Sequence, residues 1–364
     1  MHVILDFDGT VTVDDTVYQL ARYAVAFQEA QNAAGGPRAG QGTGRRDGDG
    51  DGDDDGGWAA CWTDIVDKYL ADHRQHKAGY APAEDARTTL EHELAFLGSL
   101  HDVDCRSIAR LREAGLFAGL TPERLYEGGR EAVQRGEAQG ESAGAGHEGN
   151  STGKKPTVRL RPGFAAFLEL TATQRKWPLS IVSVNWSDAW IRGVLGVGDS
   201  LQVRVFANKV TPSGAIIPNF PRQDAPAGHD HDHDDNVPFA SCSDKVEALE
   251  AAVVSAAAAA ADQPQSDEKT AALVYMGDST TDLECLIRAG RNRDGGGGGG
   301  IVMANGDGPA TSKLIQTLVR LGYAVPHVSE AERFQRPRTE DEGEAPRLAW
   351  ARDFEEIMVS KILD

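Results

Sequence analysis

Three short apolar runs in this chain each stop at a polar residue. They are VILDFDG from residue 3, PLSIVSVN from residue 178 and AALVYMGD from residue 271. Apolar runs of this length, bounded by turn residues and rich in Val and Ile, read as strands buried on both faces. Helical periodicity lies between them and after them. Strand–helix alternation of this kind argues an α/β fold, with a parallel sheet covered by helices on both faces. Such sheets bind ligands beyond the carboxyl ends of their strands. The polar residues that end the three runs fall there.

The alternation is interrupted once. Residues from about 14 to 156 read as all-helical, with Trp62, Ile65, Val66, Tyr69 and Leu70 at helical spacing. Further helices are expected near Ala86–Leu100, Cys105–Ala114 and Thr121–Arg135. Two low-complexity tracts, about 34–57 and 136–155, cannot bury a core and are expected to be loose inserts. The core is therefore expected over 1–13 and 157–330, with the helical block of 14–156 inserted after the first strand. LQVRVFANKVTPSGAIIPNF reads as a hairpin region turning at Ser213-Gly214. SDKVEALEAAVV reads as a helix capped by Ser243 or Asp244. A tail over 331–364 carries helical spacing at Trp350, Phe354 and Ile357, and is expected to dock a helix on the core or on a partner.

The net charge of -19 is partly local: RRDGDGDGDDD holds six aspartates and HDHDHDD four. No basic stripe appears, so nucleic acid is not expected as a partner. No apolar run approaches a membrane span. The four cysteines are scattered without a CxxC pair, which points to a reduced compartment and to neither zinc nor a disulfide framework. The chain enters a strand at once, with no leader-like segment, so a cytoplasmic location is expected. HDHDHDD reads as a solvated loop rather than a metal site, and the polyalanine and polyglycine runs carry no chemistry.

Taken alone, Asp6 and Asp8 in DFDG read equally well as a turn. The other strand ends change that. MGDSTTD adds Asp278 and Asp282, and IVSVN adds Ser183. Lys245 opens the helix before the Asp278 strand. Four carboxylates together are costly without a cation. Magnesium (Mg2+) prefers hard oxygen ligands and keeps room for water and phosphate. Ser183 and the nearby amides of Val184 and Asn185 suit phosphate oxygens, and a lysine suits their charge. These are the parts that phosphoryl transfer needs.

DFDGTVT, IVSVN, a later lysine and GDSTTD together resemble the four motifs of the haloacid dehalogenase superfamily. The insertion point resembles the phosphoserine-phosphatase-like subgroup, in which a helical cap follows the first strand. The run DFDGTVTVDD is most similar to methylthio-ketopentenyl-phosphate phosphatases and their fungal relatives. The motifs span residues 3 to 304 but leave the cap uncovered. The resemblance implies a Rossmann-like catalytic core and a magnesium-dependent phosphatase acting on a small phosphorylated metabolite. It implies Asp6 as nucleophile and Asp8 as general acid and base, with Ser183 and Lys245 holding the phosphoryl group. Metal would be held by Asp6, the Asp8 carbonyl and Asp278, with Asp282 behind them or as an occasional ligand. The presence of Asp8 favours phosphate over carbon–halogen chemistry.

Several residues carry rival readings. Lys209 also precedes the last motif, but it reads as part of a hairpin, so Lys245 is preferred. Where relatives carry glycine, this chain has Trp186, read as packing. Asp15 matches by spacing a cap acid that reads the substrate, and Asp14 suits the helix N-cap. Thr10, Asp15, Val184 and Asn185 are counted as substrate contacts. A non-catalytic scaffold and a phosphotransferase or mutase are the rival functions; the oligomeric state is not legible.

Overall fold

The computed structural model describes residues 1–34, 57–140, 155–196, 203–221, 237–261, 272–292, 297–306, 308–335 and 345–364. HDHDHDD and most of both low-complexity tracts lie outside them.

Six strands form one sheet: β1 (His2–Leu5), β2 (Leu179–Val182), β3 (Val203–Phe206), β6 (Leu273–Gly277), β7 (Gly298–Met303) and β8 (Leu348–Ala351). Their order is β3-β2-β1-β6-β7-β8, and every pairing is parallel. From β1 the chain adds strands on one side, then returns to add them on the other. Between β2 and β6 lies the place where strand order reverses, and β1 occupies it. Side chains alternate across the sheet. Val3, Leu5, Ile181, Val274 and Met276 face one apolar cluster. Ile4, Val182, Tyr275 and Val302 face the other.

Among the described residues, five α-helices lie between β1 and the return to the core: α1 (Val17–Ala33), α2 (Trp58–Gly79), α3 (Leu90–Ser99), α4 (His101–Ala114) and α5 (Pro122–Gly140). The core then adds α6 (Phe164–Leu168), α7 (Asp188–Leu195), α8 (Cys242–Ala261), α9 (Leu283–Arg291), α10 (Lys313–Arg320) and α11 (Phe354–Ser360). The insert divides between the two faces. Leu20 and Ala24 of α1, Trp62 and Ile65 of α2, and Ile108 and Leu111 of α4 join the first cluster. Phe96 and Leu97 of α3 join the second, with α8, α9 and α10. Helix α5 sits almost backbone-on-backbone against α7: a Cβ on Gly129 would come within 2.5 Å of Trp190 O. Where the chain leaves and re-enters the core, the two linkers pair, with an antiparallel bridge between Thr12 and Leu160.

Several expectations change. The region from 201 to 220 is not one hairpin: β3 is an edge strand of the sheet, and only β4 (Asn208–Val210) and β5 (Ile216–Pro218) pair antiparallel. The tail is not merely docked. Trp350 lies in β8, the sixth strand of the sheet, and the helix begins only at Phe354, where its ring meets Phe164 and Phe167. The third helix starts at Leu90 behind Thr89 rather than at Ala86, and the fifth runs on to Gly140, past the expected insert boundary. Asp14 does not cap α1; it pairs with Arg159, and Asp15 Oδ1 instead accepts from Val17 N at 2.7 Å. Helix α8 is opened by Ser241, whose Oγ accepts from Asp244 N while Asp244 Oδ2 accepts from Ser241 N.

Candidate active site

Sheet register assembles the site. Leu5 lies opposite both Ile181 of β2 and Met276 of β6, so the three strands end in one layer. Asp6 N donates to Met276 O and Ser183 N to Phe206 O, which carries the ladder one step beyond the strands. Asp6, Ser183 and Asp278 thus leave neighbouring strand ends on the same edge.

Lys245 reaches this edge from the first turn of α8. Its Nζ donates to Asp282 Oδ1 at 2.6 Å and lies 3.0 Å from Asp6 Oδ1. All three side chains are at least 95% buried. The approach to Asp6 is an ion pair without hydrogen-bond geometry, and Asp6 Oδ1 has no hydrogen-bond partner. Burial alone would discharge Lys245, but Asp282 and then Asp6 outweigh it and raise its pKa. Burial raises Asp6, and Asp282 adds to this; Lys245 opposes both. Lys209, the rival lysine, lies in β4 of the hairpin.

Asp278 is held by Thr10 Oγ1, which donates to its Oδ1 at 3.1 Å. Burial, followed by the charge of Asp282, pushes Asp278 up to about 7. Gly9 makes room for it: φ is +70°, and a Cβ there would fall 2.1 Å from Asp278 Oδ2. Asp282 has no lone pair to spare. Its Oδ1 accepts from Lys245 and from Tyr275 Oη at 2.7 Å, and its Oδ2 accepts from Ser279 N and Oγ.

Asp8 is half-buried. Its Oδ1 accepts from Thr16 N at 2.8 Å and its Oδ2 from Asn185 Nδ2 at 2.8 Å. Burial raises its pKa, and these donors limit the rise. Asp15 lies just before α1 with access to solvent. The protein around it, and then the charge of Asp8, push it up to about 7. Trp186 packs edge-on against Trp62 and Phe117.

Two residues counted as substrate contacts have their side chains committed elsewhere. Thr10 is fully buried and serves Asp278. Asn185 is fully buried and divides its amide between Asp8 and Thr16 Oγ1. Both hold acids in place. Sequence reasoning missed Tyr275, hidden among strand residues, and Arg161, which lies 153 residues beyond Asp8 and yet bonds the loop after it.

Among the described residues, one acid group has ligand atoms mutually close enough for a metal: Asp6, Asp278 and Asp282. The donors fit magnesium in part. All are hard oxygens, and Asp6 offers a buried oxygen without a hydrogen-bond partner. Asp282 is close enough, but its four acceptor positions are occupied by hydrogen bonds, so Asp6 and Asp278 are the acids with capacity left.

No helix among the described residues is long and apolar enough to cross a membrane. No family model matches the sequence, and no curated protein matches it. Eight solved chains do. One is a substrate-bound phosphoserine phosphatase complex, at 14% identity over 98% of this chain and 96% of that one, with a TM-score of 0.38. Another is a phospho-aspartyl intermediate analogue of phosphoserine phosphatase, at 15% identity over 83% and 85%, with a TM-score of 0.33. A third is a phosphoserine phosphohydrolase-like protein from Francisella tularensis subsp. tularensis SCHU S4, at 11% identity over 98% of both chains, with a TM-score of 0.37.

Proposed function

We propose that the chain is a magnesium-dependent phosphomonoester hydrolase that acts through an aspartyl-phosphate on Asp6. The carrying observation is the pairing of Asp6, a buried carboxylate with an oxygen free of hydrogen bonds beside Lys245, with Asp8, a half-open acid held at both oxygens. In this reading the first group attacks and the second moves protons.

In this reading an Asp6 oxygen attacks phosphorus, and the bond from phosphorus to the ester oxygen breaks. Asp8 gives its proton to the departing alkoxide. The raised pKa of Asp8 supports that role, since the acid must hold its proton until it is needed. Asp8, now a carboxylate, takes a proton from water as the water attacks phosphorus. The bond to Asp6 breaks, and inorganic phosphate leaves. Lys245 offsets charge on the phosphoryl oxygens and opposes the rise that burial and Asp282 impose on the Asp6 pKa. Ser183, with the amides of Val184 and Asn185, is proposed to hold the phosphoryl oxygens. Magnesium, held by Asp6, Asp278 and the Asp8 carbonyl, would supply charge neutralisation for carboxylate and phosphoryl oxygens.

The substrate is proposed to be a small phosphorylated metabolite in a reduced, cytoplasmic setting. Asp15, exposed just before α1, is proposed as an acid that contacts it. Within the class, the run DFDGTVTVDD favours a relative of methylthio-ketopentenyl-phosphate phosphatases. The insert is proposed to act as the cap. Hydrolysis of p-nitrophenyl phosphate with magnesium tests the reading. Turnover should vanish with EDTA and with Asp6→Asn. A native chain with no turnover and no rise in Tm with magnesium and beryllofluoride would overturn it.

A further inference from the structure

We propose that Arg161 is a positioning residue that holds the loop after β1, and with it Asp6 and Asp8, in the geometry for attack. This rests on the phosphatase reading.

Arg161 stands on the linker by which the chain returns from the insert. It is 97% buried, at 3% exposure. Its backbone N donates to Val11 O at 2.8 Å, so its position is tied to the nucleophile loop before its side chain is considered. The guanidinium then reaches across that loop. Its Nε donates to Thr10 O at 2.9 Å, and Nη2 donates to Gly9 O. Nη1 donates to Asn305 Oδ1 at 2.8 Å and to Arg352 O at 2.6 Å. Asn305 Nδ2 in turn donates to Val13 O at 3.2 Å. One planar group therefore fixes two consecutive carbonyls of the loop that follows Asp8, and anchors them to the segments after β7 and β8.

A buried charge held by neutral acceptors is expensive, and a simple structural tie would not need one. Burial pushes the Arg161 pKa down, and the charges of Asp278, then Asp353 and Asp14, oppose that. The guanidinium thus adds a second buried positive charge, beside that of Lys245, to an edge crowded with carboxylates. Only a rigid fork of donors serves this many acceptors; a lysine ammonium has three and no plane.

The test compares native chain, Arg161→Lys and Asp6→Asn by steady-state kinetics on p-nitrophenyl phosphate with magnesium. The Tm rise produced by magnesium with beryllofluoride is measured in parallel. Arg161→Lys should keep KM within about twofold and lose about 10²-fold in kcat, because it alters the geometry of attack rather than ground-state binding. Its beryllofluoride-dependent Tm rise should shrink. Unchanged kcat with a lowered Tm would overturn the proposal and leave Arg161 a structural tie. If the lysine variant does not fold, Asn305→Leu carries the test, since it removes one guanidinium acceptor and leaves the charge in place. A several-fold loss of kcat at unchanged KM supports the proposal, and no loss overturns it. A native chain that neither turns over nor gains Tm would fell the phosphatase reading itself, and this proposal with it.

Discussion

Asn185 Nδ2 donates to Asp8 Oδ2 at 2.8 Å from the loop after β2, so the proposed general acid is gripped by a neighbouring strand end. A hydrogen bond to a carboxylate lowers its pKa. Asn185→Ala should therefore move Asp8 further up. The limb of the kcat/KM profile on which Asp8 must stay protonated, the alkaline limb, should shift to higher pH. Loss of orientation should cost about tenfold or more in kcat. A profile that keeps its limbs would show that Asn185 does not hold the acid.

Lys245 sits between Asp6 and Asp282 with all three side chains buried. Lys245→Met leaves two buried carboxylates without their cation. Removing one member of a buried ion pair costs about 3–5 kcal/mol. The loss should appear in urea unfolding of the metal-free protein, together with loss of turnover. The double change Lys245→Met with Asp282→Asn should recover part of the stability and none of the activity. Recovery of both would place Lys245 outside the chemistry.

Much of this arrangement is legible in the sequence because parallel strands announce themselves. β1, β2 and β6 are apolar runs, and each ends on a residue that the register brings to one edge. The failures have physical causes. β8 is written LAWA between a run of charges and a helical pattern, and four residues are too few for periodicity to separate strand from helix. The apolar run GIVMA does read as a strand, and β7 only extends it back into the glycine run, to Gly298, although glycine is depleted in strands. Here the missing side chains admit Phe334, whose ring a Cβ on Gly299 would strike at 2.3 Å. Arg161 was invisible because its partners are backbone carbonyls, which leave no pattern in a sequence. Thr10 and Asn185 were placed at the right edge, but only coordinates show their side chains spent on Asp278 and Asp8.

Asp278 is pushed up to about 7, against 3.8 for the free carboxyl. Between those values the folded protein holds protons that the unfolded chain has released. Stability of the metal-free protein should therefore fall as pH rises from about 4 to about 7, then level off. A cation that binds Asp278 competes with its proton. The Tm gained from magnesium should consequently grow from pH 5 to pH 8. Scanning calorimetry with and without EDTA checks both slopes, and a magnesium effect that is largest at pH 5 would contradict the assignment.

Gly9 carries φ of +70°, and a Cβ there meets Asp278 rather than open space. Gly9→Ala adds about 1–2 kcal/mol of backbone strain and drives the methyl into a carboxylate. The protein should remain folded, since the change lies in a loop, while magnesium affinity measured by calorimetric titration falls at least tenfold. Asp278→Asn should weaken magnesium similarly but leave Tm in EDTA at or above native, because it removes a crowded charge. Equal magnesium affinity in native and Gly9→Ala proteins would mean that Asp278 is not a ligand.

Glu93 tests how firmly the insert is fixed. It lies in α3, and its Oε2 accepts from Arg87 Nε at 2.8 Å and from Arg320 Nη2 of α10 at 2.9 Å. Arg87 also stacks on Phe96, with the guanidinium 3.9 Å from the ring centre. Arg320 adds bonds to Glu84 O and Arg87 O. One buried carboxylate thus joins the insert to the core on the face away from α5. With α5 pressed against α7 on the other face, the insert is held to both faces of the core. Glu93→Gln removes the charge and keeps the shape, leaving Arg87 buried without its anion. It should cost about 3 kcal/mol in urea unfolding. If α3 is a fixed foot of the insert, kcat and KM stay near native below the unfolding transition. If the insert moves as one rigid cap that must release this contact, Glu93→Gln raises kcat as it lowers stability. The two outcomes separate a cap that swings as a whole from one in which α3 stays fixed to α10.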